Sequence, residues 1–261
     1  EEARPELGLG EEPLGLGPGC DVAALLAERD HGFLERDGGR YEGQLRAGLA
    51  HGSGRLRHAN GDVYEGEWHE NRAQGHGRFL HGDGSSYEGQ WHQDLQQGFG
   101  TERWTDGSQY EGSFLHSRKH GRGRVSWANG SSYEGEFCEN EIHGSGEYRW
   151  PDGRSYCGEW RDGRVHGRGR MQWTDGQVYA GEFVADQKHG HGCFRWPDGR
   201  QYSGQWVHGK QHGTGLYMNP RRRVRAGEWA QGRRARFTGE EREERASDGL
   251  LGGDPGVRPE A

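Results

Sequence analysis

Tyrosine recurs at a constant spacing of 23 residues, at Tyr41, Tyr64, Tyr87, Tyr110, Tyr133, Tyr156, Tyr179 and Tyr202. Eight copies without an insertion or deletion mean that every unit has the same size and shape, which confines the chain to a stacked repeat architecture. Other residues keep the same step. Glycine stands two positions after each tyrosine, from Gly43 to Gly204, and a bulky residue four positions after it: Leu45, Trp68, Trp91, Phe114, Phe137, Trp160, Phe183 and Trp206. A G-x-G pair follows, from Gly52/Gly54 to Gly213/Gly215, and in the middle units a tryptophan lies four residues beyond it: Trp104, Trp127, Trp150, Trp173 and Trp196.

Within a unit the apolar period is two. In Tyr64-Glu65-Gly66-Glu67-Trp68 the rings and the glycine point one way and both glutamates the other, the pattern of a half-buried strand. Gly121 to Trp127 alternates in the same manner. Asn-Gly and Asp-Gly steps such as Asn129-Gly130 and Asp152-Gly153 supply the positive φ of a tight reversal. The other link, such as Cys138 to His143, reads as longer and polar. Each unit is therefore predicted to be a hairpin. The fold class is all-β: an elongated single-layer antiparallel sheet of stacked hairpins, about sixteen strands and roughly 75–80 Å long, twisted into a curved ribbon. Composition fits such a thin body. With glycine set aside, apolar residues are 29% of the chain, below the roughly 40% of a globular domain counted the same way, yet there are 10 Trp, 10 Tyr and 50 Gly. The core has to be built from rings and from close backbone approach.

The motif Y-E-G-E-W followed by H-G-x-G at a 23-residue period resembles the MORN repeat (membrane occupation and recognition nexus) over about Phe33 to Gly232. That resemblance implies hairpins stacked into an elongated, grooved sheet that binds and positions partners. Such repeats occur in junctophilins, in plant phosphatidylinositol-phosphate kinases, in a SET-domain methyltransferase and in cytoskeletal and ciliary scaffolds. Several units depart from the pattern. Leu45 replaces an aromatic residue, Glu102 stands where other units have an apolar residue, Gln74 and Gln97 replace the usual His, and Arg225 takes the tyrosine position of a degenerate ninth unit.

The domain organisation expected is a disordered acidic Gly/Pro-rich segment over 1–20, a capping helix over 21–30, the repeat array over 31–232, and a charged C-terminal segment over 233–261. That last segment is expected to open with a short helix from Thr238 to Ala246, with Thr238 and Glu241 as its capping box, and to be disordered beyond it. Either helix would cover an open sheet edge. The chain begins at Glu1, which reads as a trimmed terminus. No stretch approaches the ~20 apolar residues of a membrane span, and Val22 to Ala27 is too short for a signal-peptide core.

The charge of −7 gives no global attraction to nucleic acid, so no nucleic-acid partner is expected. Cys20, Cys138, Cys157 and Cys193 fall at unrelated registers, which suggests neither disulfides nor zinc and points to the reducing cytoplasm. Repeated His51, His120, His143, His166, His189 and His212 sit roughly 9–10 Å apart, too far to share a metal, and are expected to hydrogen-bond backbone. The glutamates of Y-E-G-E recur, whereas an active site needs one differentiated constellation. They read as solvent-face residues pairing with Arg and Lys across strands. No enzymatic activity, cofactor or metal is expected.

What remains is binding. A one-layer sheet leaves its aromatic rows partly uncovered, and Trp104, Trp127, Trp150, Trp173 and Trp196 with Tyr110, Tyr133, Tyr156 and Tyr179 form the expected groove for an amphipathic helix or extended peptide. A cytoskeletal, ciliary or membrane-junction scaffold is the leading reading. The alternatives are an acidic-phospholipid module using Arg221, Arg222, Arg223, Arg225, Arg233, Arg234 and Arg236, and the targeting region of a larger enzyme. Self-association through the terminal repeat is a further expected use of an open edge.

Overall fold

The computed structural model describes residues 31–36 and 38–244. Their twenty strands, from β1 (Gly32–Arg36) to β20 (Arg242–Glu243), all lie in one antiparallel sheet. It is a meander: β1 pairs with β2 (Gly39–Arg46), β2 with the next strand, and so on to β18 (Arg223–Ala230). The last two strands, β19 (Arg233–Phe237) and β20, lie end to end along the same edge of β18. The sheet thus exceeds the sixteen strands expected, because β1 and the strands of the degenerate ninth unit extend it at both ends.

Two rows of residues run across the sheet at right angles to the strands. One is all glycine: Gly43 faces Gly54, Gly54 faces Gly66, and the row continues without a gap through Gly135, Gly146 and Gly158 to Gly227. The other alternates each repeat tyrosine with its cross-strand neighbour, as in Val125–Tyr133–Tyr148–Tyr156–Met171. Every tyrosine ring lies over the glycine row. A Cβ on Gly123 would stand 2.4–2.6 Å from the Oη, Cε2 and Cζ atoms of Tyr110, and one on Gly146 2.3–2.6 Å from the same atoms of Tyr133. Only glycine leaves the ring this room. The ring then reaches far enough for its hydroxyl to donate to the carbonyl three residues on, Tyr110 to Ser113 at 2.9 Å and Tyr156 to Glu159 at 3.0 Å.

The bulky residue four positions past each tyrosine fits between that ring and the ring of the preceding unit. Tyr41–Trp68, Trp68–Tyr64, Tyr64–Trp91 and Trp91–Tyr87 are edge-to-face contacts with centroids 5.0–5.2 Å apart. The zigzag continues through Phe114, Phe137, Trp160, Phe183 and Trp206 to the Tyr202–Trp229 pair at 4.7 Å. Edge-to-face geometry lets each positive ring edge meet a negative face, worth about 0.5–1.5 kcal/mol per pair beyond area burial. Sixteen rings in one unbroken chain run through the core, with Leu56, Val125, Val165 and Phe194 beside them, and there is no second layer among the described residues.

The turn assignment is reversed from the sequence expectation. The tight reversal is the link read as longer: β10 (Ser132–Cys138) and β11 (Glu141–Arg149) are joined by Glu139 and Asn140 alone, both at positive φ, 52° and 73°. The Asn-Gly step lies in a five-residue loop, 127–131, between β9 (Arg118–Ser126) and β10. There Asn129 accepts the amide of Ser131 at 2.9 Å and Gly130 takes φ 86°. A second correction concerns the C-terminal helix. Residues 238–244 contain no helix, and Arg242–Glu243 pair with β18 instead. Glu243 and Glu244 bond Arg223 and Arg222, which holds the segment extended against the sheet. The N-terminal helix expected over 21–30, and both segments expected to be disordered, lie outside the described residues.

The first glycine of each G-x-G has positive φ, 56° to 74°, and sits at a β-bulge that recurs in every tight hairpin. The bulge leaves a backbone amide without a ladder partner. The second glutamate of Y-E-G-E, or a glutamine in its place, supplies one: Glu67 accepts from His76 N at 2.9 Å, Glu159 from Arg168 N at 3.0 Å and Gln90 from Phe99 N at 2.7 Å. These side chains cap backbone rather than pairing with Arg or Lys. The first glutamate lies opposite basic residues, as Glu65 opposite Arg55.

Candidate functional site

Each tryptophan of the middle units is held at its backbone by the five-residue loop it opens. Trp127 N donates to Ser131 O at 3.0 Å and Trp127 O accepts from Gly130 N at 2.9 Å; Trp104, Trp150, Trp173 and Trp196 make the same pair of bonds. Their side chains are half-buried and pack on the core. Between them stand the residues of the tyrosine row. Trp127 is 5.4 Å from Tyr148, which is 4.6 Å from Trp150; Trp173 is 5.7 Å from Phe194, which is 4.7 Å from Trp196. The five tryptophans therefore form one strip at the loop end of the sheet, with no layer over it among the described residues.

The four tyrosines assigned to the groove from sequence occupy a different place. Tyr110, Tyr133, Tyr156 and Tyr179 are 0% exposed. Burial drives their phenol pKa well above the usual tyrosine value. They are the floor that fixes the strip and are closed to direct contact with a partner. Tyr148 and Phe194, not singled out from sequence, stand between the tryptophans instead. The signal was present, since both lie two residues before a strip tryptophan.

Four cations lie against these rings. Arg154 stacks on Trp150 and Arg200 on Trp196, at 5.2 and 5.3 Å from the ring centroids. Asp152 and Asp198 hold them at 2.7 and 2.6 Å, so W-P-D-G-R, found at 150–154 and 196–200, is a unit in which a carboxylate fixes a guanidinium over an indole. Lys119 lies over Trp104 and Tyr110 and pairs with Glu102 at 2.6 Å. That explains the one acidic residue in the tyrosine row: Glu102 balances a lysine placed where Ile142 and Val165 stand in other units. Lys188, three units on at the same position, lies 4.6–5.5 Å from the rings of Trp173, Tyr179, Phe194 and Trp206. No carboxylate among the described residues is within ion-pair distance of it. Burial lowers its pKa from 10.5 to about 8.

The arginine cluster is brought together only in part. Arg236 makes two 2.9 Å bonds to Glu228, which hold the Glu228 carboxyl below the usual range. Arg225 and Arg234 stack on the Phe237 ring at 4.3 and 4.1 Å, and Arg225 also donates to Gly239 O. Arg222 and Arg223 are tied to Glu244 and Glu243. Arg221 and Arg233 are exposed. Glu228 lies within the arginine run, whereas Glu243 and Glu244 follow it and reach Arg223 and Arg222 because the chain folds back on β18.

The backbone bonding expected of the histidine side chains is not what these positions display: the ring of His143 lies 3.8 Å from Asp162 and His120 Nδ1 is buried without a partner among the described residues, while the main-chain carbonyls of His143, His166, His189 and His212 accept a second, longer bond from a tyrosine hydroxyl at 3.3–3.5 Å. Among the described residues no three His, Cys, Asp or Glu side chains converge as metal ligands would. The early units also carry an open depression of about 720 Å³, lined by Glu65, His76, Arg78, Glu88, Phe99 and Arg103 among others. Phe99 is 55% exposed there.

Among solved structures, the wild-type TCP10 domain of Danio rerio CPAP is similar at a TM-score of 0.45, with 15% identity over 80% of this chain and 100% of that chain. The SAS-4 (dCPAP) TCP domain of Drosophila melanogaster, in complex with a proline-rich motif of Ana2 (dSTIL), is similar at a TM-score of 0.38, with 11% identity over 75% of this chain and 98% of that chain. No curated protein sequence matches. The family model of the MORN repeat matches residues 41–63, 64–86, 87–109, 110–132, 133–153, 156–178, 179–199 and 202–220. These eight consecutive matches span the strip and all of the ring chain except Trp229, and the chain belongs to the MORN-repeat family.

Proposed function

We propose that the chain is a non-enzymatic interaction scaffold that holds an amphipathic helix or an extended peptide along the tryptophan strip. The observation that carries this reading is the strip itself. Five half-buried indoles are fixed in register on one side of a one-layer sheet, over a floor of fully buried tyrosines. A rigid row of large rings offers contact area at little entropic cost, which is what a binding surface needs. The repeat spreads such rings evenly along one axis, which suits a helical or extended partner laid across several units. A cytoplasmic place in a cytoskeletal, ciliary or membrane-junction assembly goes with this role.

The acidic-phospholipid reading draws less support. Three of the seven arginines are ion-paired and two are stacked on Phe237. The short, arginine-rich β19 suits protection of an edge strand against further pairing, which also weakens self-association through that edge.

The test is capture from cell lysate at low and high salt, comparing wild type with Trp127→Ala/Trp150→Ala and with a variant carrying Glu at 221–223, each checked for folding by circular dichroism. Scaffold binding predicts a salt-resistant protein partner lost only in the tryptophan variant. Salt-sensitive capture of acidic lipid, lost only in the arginine variant, would replace it with the membrane reading.

A further inference from the structure

The two lysines on the strip occupy equivalent positions three units apart. Lys119 faces Phe114 across its hairpin and Lys188 faces Phe183. Tyr110 corresponds to Tyr179, Trp104 to Trp173, and Glu102 to Met171, which lies opposite Tyr179 as Glu102 lies opposite Tyr110. The two environments differ in their rings, since Val125 and Phe137 stand where Lys188 has Phe194 and Trp206, and they differ in charge. The Lys119 ammonium has the Glu102 carboxylate at 2.6 Å, and the Lys188 ammonium has a thioether where that carboxylate would be. Arg154 and Arg200, the other cations on the strip, also carry their own carboxylate. Among the described residues Lys188 is thus the strip cation whose charge meets only rings.

A half-buried ammonium surrounded by four rings gains some cation–π attraction. Among the described residues it has no carboxylate partner of the kind that Glu102 gives Lys119. Other units place Ile142 or Val165 here, so the sheet does not need a charge at this point. The position is open to the strip rather than sealed, since Lys188 keeps part of its surface exposed.

We propose that Lys188, with Trp173, Phe194 and Trp206, is a carboxylate-binding subsite that receives an Asp or Glu side chain from the peptide seated on the tryptophan strip. The inference rests on the scaffold reading above and specifies the partner's chemistry: an acidic residue flanked by apolar ones. The Lys119–Glu102 pair is the same subsite already filled from within the chain. The incoming carboxylate replaces Glu102 in that arrangement, and apolar neighbours on the peptide cover Trp173 and Trp196. An ion pair formed in a partly dry aromatic site depends strongly on both partners, so removing either one weakens binding by about tenfold or more.

The experiment is to pan a phage-displayed random peptide library against the full chain, then titrate the selected peptides as synthetic pairs differing only by Glu→Gln or Asp→Asn. Each pair is measured on wild type, Lys188→Met, Met171→Glu and Trp173→Ala. Lys188→Met imitates the apolar residues of other units, and Met171→Glu fills the subsite internally as Glu102 does. The expected result is an acidic consensus and about a tenfold loss on Lys188→Met and on Met171→Glu. Neither loss should appear when the peptide carries the amide. Peptides that bind equally to wild type and Lys188→Met, yet fail on Trp173→Ala, overturn the carboxylate subsite and leave the strip as the binding surface. Selection of no peptides, or of peptides indifferent to Trp173→Ala, overturns both.

Discussion

A tyrosine hydroxyl reaches the carbonyl three residues along its own strand only if nothing stands under the ring. The glycine row provides that clearance, so the two residue types form one device repeated in eight units. It follows that the two kinds of glycine in a unit have different sensitivities. Gly123→Ala puts a Cβ 2.4–2.6 Å from Tyr110 ring and hydroxyl atoms, and a ring locked by neighbours on both sides can yield only by losing its bond to Ser113. We expect a loss of about 2–3 kcal/mol, read as a lower urea midpoint and weaker amide protection in β8 (Gln109–Leu115) and β9. Gly107→Ala meets no atom within 4 Å and suffers only from its φ of 91°, so its cost is about 1 kcal/mol. Equal effects would show that the ring does not need the row. Titration offers a second test at this scale. The eight buried tyrosines have raised phenol pKa values, to about 12 at Tyr41 and Tyr202. Above pH 10 the unfolded chain loses these protons and the folded chain keeps them, so stability falls by about 1.4 kcal/mol per pH unit for each tyrosine concerned. Lys188 acts with the opposite sign. Its folded pKa of about 8 lies below the unfolded 10.5, so between those values the unfolded state binds the extra proton and stability rises with pH. Subtracting the pH profile of Lys188→Met from that of wild type should leave a positive slope beginning near pH 8; a flat difference would mean that the ammonium is not desolvated.

Hairpins were legible as elements, but their turns were not, and the reason is physical. By local propensity Asn-Gly is the tight turn, because it most readily takes two positive φ values. The tight position is instead occupied by pairs such as Glu139-Asn140 and Ala185-Asp186, whose second side chain has a use that glycine lacks. Asn140 accepts the amide of Lys119 at 2.9 Å and Asp186 that of Val165 at 2.9 Å, both in the preceding hairpin. The turn residue thus links one unit to the next, a long-range selection that local propensity does not reveal. Asn-Gly serves the wider loop, where Asn129 closes on Ser131 and carries Trp127 at the strip. The tyrosine rows were likewise visible as aromatic, but which rings end as floor and which as surface depends on the glycine row, seen only once strands are paired. Gly163 tests the turn argument. It holds φ 72° at the position of Asn140 and donates its amide to Ile142 O at 2.9 Å, yet brings no side-chain acceptor to Ile142 N. Asparagine tolerates this φ, and a Cβ there meets only the flexible end of Glu141 at 3.2 Å. Gly163→Asn is therefore expected to stabilise by about 0.5–1 kcal/mol, measured as a higher denaturant midpoint, whereas Gly163→Ala should destabilise because it adds strain without the bond.

The described residues form a one-dimensional array, since the strands from β1 to β19 pack on their sequence neighbours and the ring chain runs along the same axis. Stability is then a sum of unit terms and interface terms, and a whole unit is removable where half of one is not. Deleting residues 133–155 joins Ser132 to Tyr156, reproducing the Ser155-Tyr156 junction. It restores the ring chain, because Trp160 then meets Tyr110 as Phe137 did. The shortened chain should keep its β-sheet circular dichroism per residue and lose only a modest part of its stability. Deleting 133–144 instead removes β10 and its tight turn and breaks the alternation of long and short links; it should unfold the array around it. The same deletion of 133–155 separates two ways in which the strip can bind. It removes Trp150 and brings Trp173 about 9–10 Å closer to Trp127, two strand spacings, while leaving Lys188 and its rings intact. A peptide that reads only the Lys188 subsite and the indoles beside it should bind the shortened chain with unchanged affinity. A longer partner whose side chains match successive tryptophans should lose affinity, because its spacing no longer fits beyond the deleted unit. Isothermal titration of both proteins with a peptide truncated from each end locates that boundary, and a long partner that binds both proteins equally would show that the repeat spacing of the strip is not what it recognises.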